Sequence, residues 1–500
     1  MTLGVRHTVV LSDVHLSQAH PIDPDDPLWM RYRASDYHPD EDFEGFIDTI
    51  LEKVGDERVE LVFNGDVFDF DAPLVKDGTS TFEEYPLDDE GCTAQMKRIL
   101  DDHPGIVRAT AKVLAKGHSL LVLSGNHDVE LYFPGVRRVM KDVLADAALA
   151  QDASLDRRDV ASRIRFRTWF HVTDDRIYLE HGSQYDLING MPDPMHPLRL
   201  DEPSIHPVCG KLAFKRLGSR MGYFNPYCED TFYMGLKGYI THFARHYMFS
   251  KTRHIGRTWW RGATLSAKEI YRHRRKDDAP LTEKSIAEAI AETGATREAV
   301  LATHALRIRL AERDFIPVLR EFWLDRVFLV FLLFVLVVPC LLLGGISLGA
   351  IALGVFVVLF VAYEIFTPKP DVRTYDSAPP TVLELFDIHN VRAMCMGHTH
   401  RPFSIWEESG KELRFRGNSG SWCPAFHDQE CKKPVLDRRP FLWLRTCADE
   451  IAGGVHWYKD GKIEEGEGAK PIELPLPPAS SVSASSASST GAVARDGTEG

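Results

Sequence analysis

Short apolar runs recur along the chain and are separated by polar loops and longer amphipathic stretches. Val9–Leu11, Val59–Phe63, Leu120–Leu123, Ile177–Leu179 and Val391–Met396 are too short for helices and read as buried strands. Between the first two, Phe43, Phe46, Ile47, Ile50, Leu51 and Val54 fall at helical spacing, and acids in the first turn suit the helix dipole, so 40–54 is a helix. Residues 104–116 read as another, with Pro104 near its start and Gly117 at its end. Strand, loop and helix thus alternate, as in an α/β fold. Beyond 183 the pattern turns helical, at 282–293 and 296–322, and Ser266-x-x-Glu269 reads as a capping box opening a further short helix. Residues 327–363 carry no charged side chain, which is too long for one membrane span and suits two short ones, 327–343 and 348–365, joined at Gly344-Gly345 and bent at Pro339.

Each strand-like run ends in a cluster of metal-ligand residues. In order these are Asp13-x-His15, Gly65-Asp66-x-x-Asp69, Gly125-Asn126-His127-Asp128, His181-Gly182 and Gly397-His398-Thr399-His400. In open α/β sheets, ligands gather at the carboxyl ends of strands, where these clusters fall. Carboxylates, imidazoles and one amide carbonyl form the mixed oxygen and nitrogen set that suits a pair of divalent ions over a phosphate. Asp66, at a strand tip, is the candidate bridge between two ions. His127 is the candidate proton donor to a leaving oxygen, with Asp128 beside it to hold the ring. Any one cluster alone would be unremarkable; the ordered set of five makes chance implausible.

The clusters constrain the apolar run. Four precede it and one follows, so a single site requires both flanks on one side of a membrane, and the run becomes a hairpin or re-entrant loop. Arg320 and Arg326 before it, and Lys369 and Arg373 after it, place both flanks in the cytoplasm. Charge is unevenly spread around a formal net of −13: residues 13–102 hold 25 acids and 7 basic residues, whereas 237–276 hold 11 basic residues and one acid, Glu269. The basic segment interleaves aromatics and centres on Arg253, Arg257, Trp259, Trp260 and Arg261. Beside a hairpin it reads as a surface for anionic lipid headgroups or a lipid substrate, and nucleic acid is not the expected partner.

The composition, 44 % hydrophobic and 26 % charged, is that of an ordinary globular protein. Eight cysteines without a CxxC pair are no disulfide framework and read as reduced thiols; Cys423, His427 and Cys431 are evenly spaced but have no evident fourth ligand. No signal-peptide pattern precedes the first strand.

In order and in completeness, the five clusters resemble the calcineurin-like metallophosphoesterase superfamily. The resemblance implies a two-sheet β-sandwich flanked by helices. It further implies one divalent ion held by Asp13, His15, Asp66 and His400, and a second by Asp66, Asn126, His181 and His398, with His127 assisting the leaving group. Manganese is the first expectation, then iron, zinc or related ions. Asn418-x-Gly-Ser421 resembles a turn of bacterial members. The Ser12–Leu16 opening and the GHTH-Arg401-Pro402 string also resemble UDP-diacylglucosamine pyrophosphohydrolases, although those usually carry Arg at the position of His127.

The expected organisation is a core in two parts (1–182 and 380–470), a helical basic and aromatic insertion (183–326), a transmembrane hairpin (327–366) and a disordered tail (475–500). The expected function is metal-dependent hydrolysis of a phosphoester or pyrophosphate bond, of a lipid or lipid-linked nucleotide. The expected place is a bacterial-type inner membrane, with the catalytic part in the cytoplasm. The alternatives are a phosphoprotein or nucleotide phosphatase of the same fold, and a non-catalytic membrane scaffold.

Overall fold

The structure is a computed structural model. It describes residues 6–21, 32–81, 86–199, 202–220, 255–273, 281–308, 316–321, 324–367, 380–409, 412–427, 432–447 and 450–472, and a few single positions besides. The chain is a mixed α/β protein. One sheet of seven strands runs β14-β13-β12-β1-β2-β5-β6 and a second of five runs β10-β11-β9-β8-β7. The strands are β1 (Arg6–Leu11), β2 (Arg58–Asn64), β3 (Leu74–Lys76), β4 (Thr79–Thr81), β5 (Ser119–Leu123), β6 (Ile164–Arg167), β7 (Phe170–Val172), β8 (Ile177–Glu180), β9 (Ala393–Met396), β10 (Phe403–Ser409), β11 (Glu412–Asn418), β12 (Arg439–Cys447), β13 (Glu450–Lys459) and β14 (Lys462–Glu465). β3 and β4 form a small hairpin of their own.

Strand alternation builds the layers. Val9, Leu11, Leu61, Phe63, Leu120 and Val122 point to one face of the seven-stranded sheet and pack under helices α1 (Asp40–Val54), α2 (Asp89–Asp102), α3 (Pro104–Ala115) and α4 (Pro134–Gln151). Val10, Val62 and Leu121 point to the other face, where they share a core with Ile177, Leu179, Ala393, Cys395 and Phe415 of the second sheet. The two sheets are therefore packed face to face. The outer face of the second sheet (Phe170, Tyr178, Met394) is covered by Ala289, Val300, Leu385 and Phe386. Near β12, Phe46 of α1 meets Phe441 at 4.7 Å and Trp422 at 5.1 Å between ring centroids.

The chain's two halves close on each other. β12 lies antiparallel to β1, with Arg6 opposite Thr446. β9 lies parallel to β8, with Leu179 opposite Cys395. The insertion between β8 and β9 thus leaves and rejoins adjacent strands of one sheet.

Within the insertion, the helix Glu283–Thr293 forms as its spacing predicts, capped by Thr282. The pattern over 296–322 does not give one helix. Arg297–Ala305 ends in a turn, Ile308 N donates to Gln184 O (3.4 Å), and a separate helix spans Ile316–Glu321. Ser266 is no cap either. It lies inside the helix Ile255–His273, buried, with its hydroxyl on Leu212 O, and Glu269 turns to pair with Arg216 at 2.9 Å.

The apolar run forms one 43-residue helical element, Leu324–Phe366, the one helix among the described residues long and apolar enough to cross a membrane. Apart from Gly349 its residues are exposed or half-buried, with Leu343 87 % and Ile346 85 % exposed. Gly345 has non-helical torsions (φ 67°, ψ −166°). Arg326 Nε lies 2.8 Å from Glu364 Oε1, and Tyr363 donates to Asp325. In a straight helix those partners would stand roughly 57 Å apart, so the chain doubles back at Gly345. Lys369, Arg373, Cys431, Arg253 and the tail 475–500 lie outside the described residues.

Candidate metal centre

The parallel registers bring the strand ends to one rim. Leu11 is opposite Phe63, Asn64 opposite Leu123, Leu179 opposite Cys395 and Met396 opposite Asn418. The loops after β1, β2, β5, β8, β9 and β11 therefore emerge together. Loop hydrogen bonds tie them: Asp13 N to Gly65 O (3.1 Å), His15 N to Asp66 O (3.0 Å) and Gly397 N to His181 O (2.9 Å). Asp13, His15, Asp66, His398 and His400 all adopt left-handed φ, between 52° and 70°. Non-glycine residues avoid that region, so the surrounding bonds hold these five against a local cost.

The ligand atoms fall into two principal groups. Asp13, His15 and His400 form one, with His400 Nε2 3.2 Å from Asp13 Oδ1 and 3.4 Å from His15 Nε2. Asp66, His181 and His398 form the other, with His181 Nε2 3.0 Å from Asp66 Oδ2 and the two imidazoles 5.3 Å apart between centroids. Each group could hold a metal ion, and the donor set fits one. Asn126 Oδ1 is buried and lacks a hydrogen-bond partner among the described residues, and Asp13 Oδ1 and His181 Nε2, also buried, make no hydrogen bond there beyond their ion-pair approaches to His400 and Asp66. Buried polar atoms left so are costly unless something else satisfies them. The remaining atoms are fixed by the fold: Asp13 Oδ2 accepts from His398 N (3.0 Å), Asp66 Oδ1 from His127 N (2.7 Å), and His181 Nδ1 lies 3.0 Å from Asn64 O.

Burial would raise Asp66, but His181 and His127 facing it hold its carboxyl well below the usual range. Burial would lower His181, but Asp66 and Asp13 push it up to about 9. These opposed shifts mark the rim as a place where charge of both signs is concentrated out of water.

His127 lies against the first group, its ring 4.9 Å from that of His15. Asp128 does not hold that ring. Its Oδ2 accepts from Val67 N (2.9 Å) and Phe68 N (3.3 Å), and its Oδ1 from Gly125 N (2.6 Å), so it clamps two rim loops together. The ring is held by Asp71, 2.9 Å from His127 Nδ1, with Asp69 at 3.5 Å. Burial and the neighbouring Asp69 charge push Asp71 up to about 7. Asp69 is in turn paired with Arg33.

Other side chains at the rim escape a reading of motifs. Asp186, in the turn after β8, places Oδ2 3.0 Å from His398 Nε2. Lys211, from the helix Cys209–Arg216, donates to both oxygens of Glu130 at 2.8 Å and to His127 O at 3.2 Å. The only sequence signals were proximity: Asp71 two positions beyond Asp69, and Asp186 five beyond His181. His38, Asp40 and His103 also cluster. There, however, His103 lies against Asp40 and Ser17 O, and Asp40 caps Gly105 and Ile106, so the trio is occupied by structure.

Arg257, Trp259, Trp260 and Arg261 lie on the helix Ile255–His273, which packs on Cys209–Arg216 through Ala263, Ala267 and Ile270. Trp259 is half-buried against that cluster, whereas Arg257, Trp260 and Arg261 are exposed. No protein-family model matches the chain, and no curated protein matches it, so the functional reading rests on this geometry.

Proposed function

We propose that the chain is a metal-dependent phosphoester hydrolase of the calcineurin-like metallophosphoesterase type, anchored in a membrane by its apolar hairpin. The observation that carries the reading is the pair of Asp/His groups at one sheet rim, with Asn126 Oδ1 buried and unmet and with Asp13 Oδ1 and His181 Nε2 buried beside other ligand atoms of their own groups. Asp13, His15 and His400 would hold one divalent cation, and Asn126, His181 and His398 a second, with Asp66 between them. Manganese is the first candidate, then iron or zinc. When bound, two such ions neutralise a phosphate and make water a competent nucleophile near neutral pH.

The chain's own residues do the rest. Asp71 accepts from His127 Nδ1, which leaves Nε2 as the nitrogen that gives a proton to the leaving oxygen. Asp186 fixes the ring of His398 from behind, as carboxylates commonly do for ligating histidines. Asp128 keeps the Asn126 and Asp66 loops in register.

The membrane reading is supported by topology. Because β8 and β9 are neighbours in one sheet, both flanks of the apolar element belong to one body, which permits only an even number of crossings. The 18 residues from 327 to 344 extend roughly 27 Å as a helix, close to the thickness of a bilayer's hydrocarbon core. Arg320 and Arg326 at the hairpin's base favour a cytoplasmic face. A lipid-borne phosphoester is the substrate class this location favours.

The test pairs metal analysis with hydrolysis of a chromogenic phosphodiester in manganese. Asp66→Asn and His181→Asn should lose bound metal and turnover together. His127→Asn should keep its metal and lose about 10²–10⁴-fold in rate. Undiminished hydrolysis by a metal-free Asp66→Asn protein would sink the reading.

A further inference from the structure

The helix Ile255–His273 has two unlike faces. Ala263, Ala267 and Ile270 are buried in one cluster with Leu212 and Val318, Ser266 is buried with its hydroxyl on Leu212 O, and Gly262 is buried against Arg216 and Leu217. Arg257, Trp260, Arg261, Lys268, Tyr271 and Arg272 are all exposed, Trp260 by 52 % and Tyr271 by 51 %. At 100° per residue those six fall within an arc of roughly 120°. The helix's one acid, Glu269, is turned out of that arc and spent on Arg216. Among the described residues, Arg257, Arg261, Lys268 and Arg272 have no carboxylate partner. The result is a stripe of four cations and two amphipathic aromatics with no carboxylate paired to its cations among the described residues.

Its position says what covers it. Val318, on the short helix before the apolar element, is fully buried with Ala263, Ala267 and Ile270. Leu319 and Leu324 pack on the same cluster, and Leu324 opens the apolar element. The base of the hairpin is fixed by Arg326–Glu364. The stripe is therefore bolted beside the point at which the apolar limbs begin, at the depth of a bilayer's headgroups if those limbs are embedded.

We propose that this stripe docks on anionic phospholipid headgroups of the same bilayer, with Trp260 and Tyr271 at the interface and the four cations on lipid phosphates. The proposal rests on the membrane reading above and deepens it. It revises the expected lipid contacts: Trp259 is half-buried against the helix pair, and Lys268, Tyr271 and Arg272 join Arg257, Trp260 and Arg261. Because the helix packs on Cys209–Arg216, whose Lys211 donates to His127 O, docking would also fix the rim's height above the lipid. Nucleic acid shares the phosphate chemistry, but nothing in that use calls for a stripe at the root of an apolar hairpin.

Hydrogen exchange of the full chain in lipid nanodiscs tests this. With phosphatidylglycerol present, peptides covering Ile255–His273 should exchange about tenfold or more slowly than in phosphatidylcholine alone. High salt should abolish the difference, and so should the variant R257Q/R261Q/K268Q/R272Q. Equal exchange in both lipids, with Leu324–Phe366 protected, would overturn the proposal and leave the membrane reading intact. Fast exchange across Leu324–Phe366 in both discs would remove both. Equal protection by a single-stranded oligonucleotide added to the detergent-solubilised chain would also overturn it, by assigning the stripe to nucleic acid.

Discussion

Asp128 and Asp71 show how far residue identity carries. The five clusters were legible because ligand spacing within a loop is fixed by covalent geometry, and the structure gathers Asp13, His15, Asp66, His181, His398 and His400 into two groups. The carboxylate serving His127 was not legible from adjacency. Asp128, next in the chain, turns to backbone N–H groups, and Asp71, 56 positions away, reaches the ring. The two roles separate by experiment. Asp128→Asn sets an amide NH₂ against backbone donors, so stability should fall by about 1–3 kcal/mol, with metal content falling as the loops loosen. Asp71→Asn should keep the melting temperature and the metal while lowering turnover. Gly125 sets a stricter limit, since a Cβ there would stand 2.6 Å from Asp66 N; Gly125→Ala should abolish metal binding even though no ligand is changed. Lys211 and Glu130, both fully buried, make a further pair that no motif announced. Lys211→Met should cost about 3–5 kcal/mol by stranding the Glu130 charge, and Lys211→Met with Glu130→Leu should recover much of it in thermal melts.

Among elements, helices and strands with a strong period were readable to within a residue or two, as Asp40–Val54 and Arg58–Asn64 show. The pattern failed where tertiary contacts interrupt it. Residues 296–322 keep helical spacing, yet the chain turns after Ala305 to lay Ile308 against Gln184. Ser266 matches a capping box but is buried in the middle of a longer helix. Docking of the insertion on the second sheet has a consequence for pH. His171, on β7, meets the end of Glu283–Thr293 and accepts from Arg167 Nε at 3.1 Å. Burial, then the Arg167 charge, lowers its pKa from 6.5 to about 3. The folded state keeps this ring neutral, while the unfolded chain takes up a proton below about 6.5. The stability it supplies is thus complete above pH 6.5 and is lost as pH falls toward 3, about 2 kcal/mol being gone by pH 5. Unfolding midpoints should drop over pH 7 to 5, and His171→Gln should flatten that slope.

At the scale of the whole molecule, the order of strands in the sheets was not legible. β1 sits between β2 and β12, and strand pairs separated by hundreds of residues leave no local periodicity. What could be inferred was a parity: distant clusters that meet at one site require both flanks of an apolar run to return to the same body. The pairing of β8 with β9 has that form, and the hairpin's base adds a geometric corollary. Arg326 and Glu364 are in contact, and Leu341 and Gly349, equally far from Gly345, approach closely, so the two limbs run side by side. No apolar side chain of the limbs beyond Leu324 joins a core cluster among the described residues. The element is therefore an appendage to the fold. A short glycine-serine linker joining Arg326 to Glu364 spans the gap without moving either end, and the shorter loop adds no closure cost. Such a chain should stay in solution without detergent, bind the same amount of metal and hydrolyse a soluble chromogenic ester at a rate within about threefold of the intact protein, a shift below 1 kcal/mol in the barrier. It should lose its association with vesicles unless they are anionic, because the stripe on Ile255–His273 would then be the remaining contact. Loss of metal on excision would show instead that the limbs hold the sheet rim together, and the apolar element could no longer be treated as separate from the two sheets.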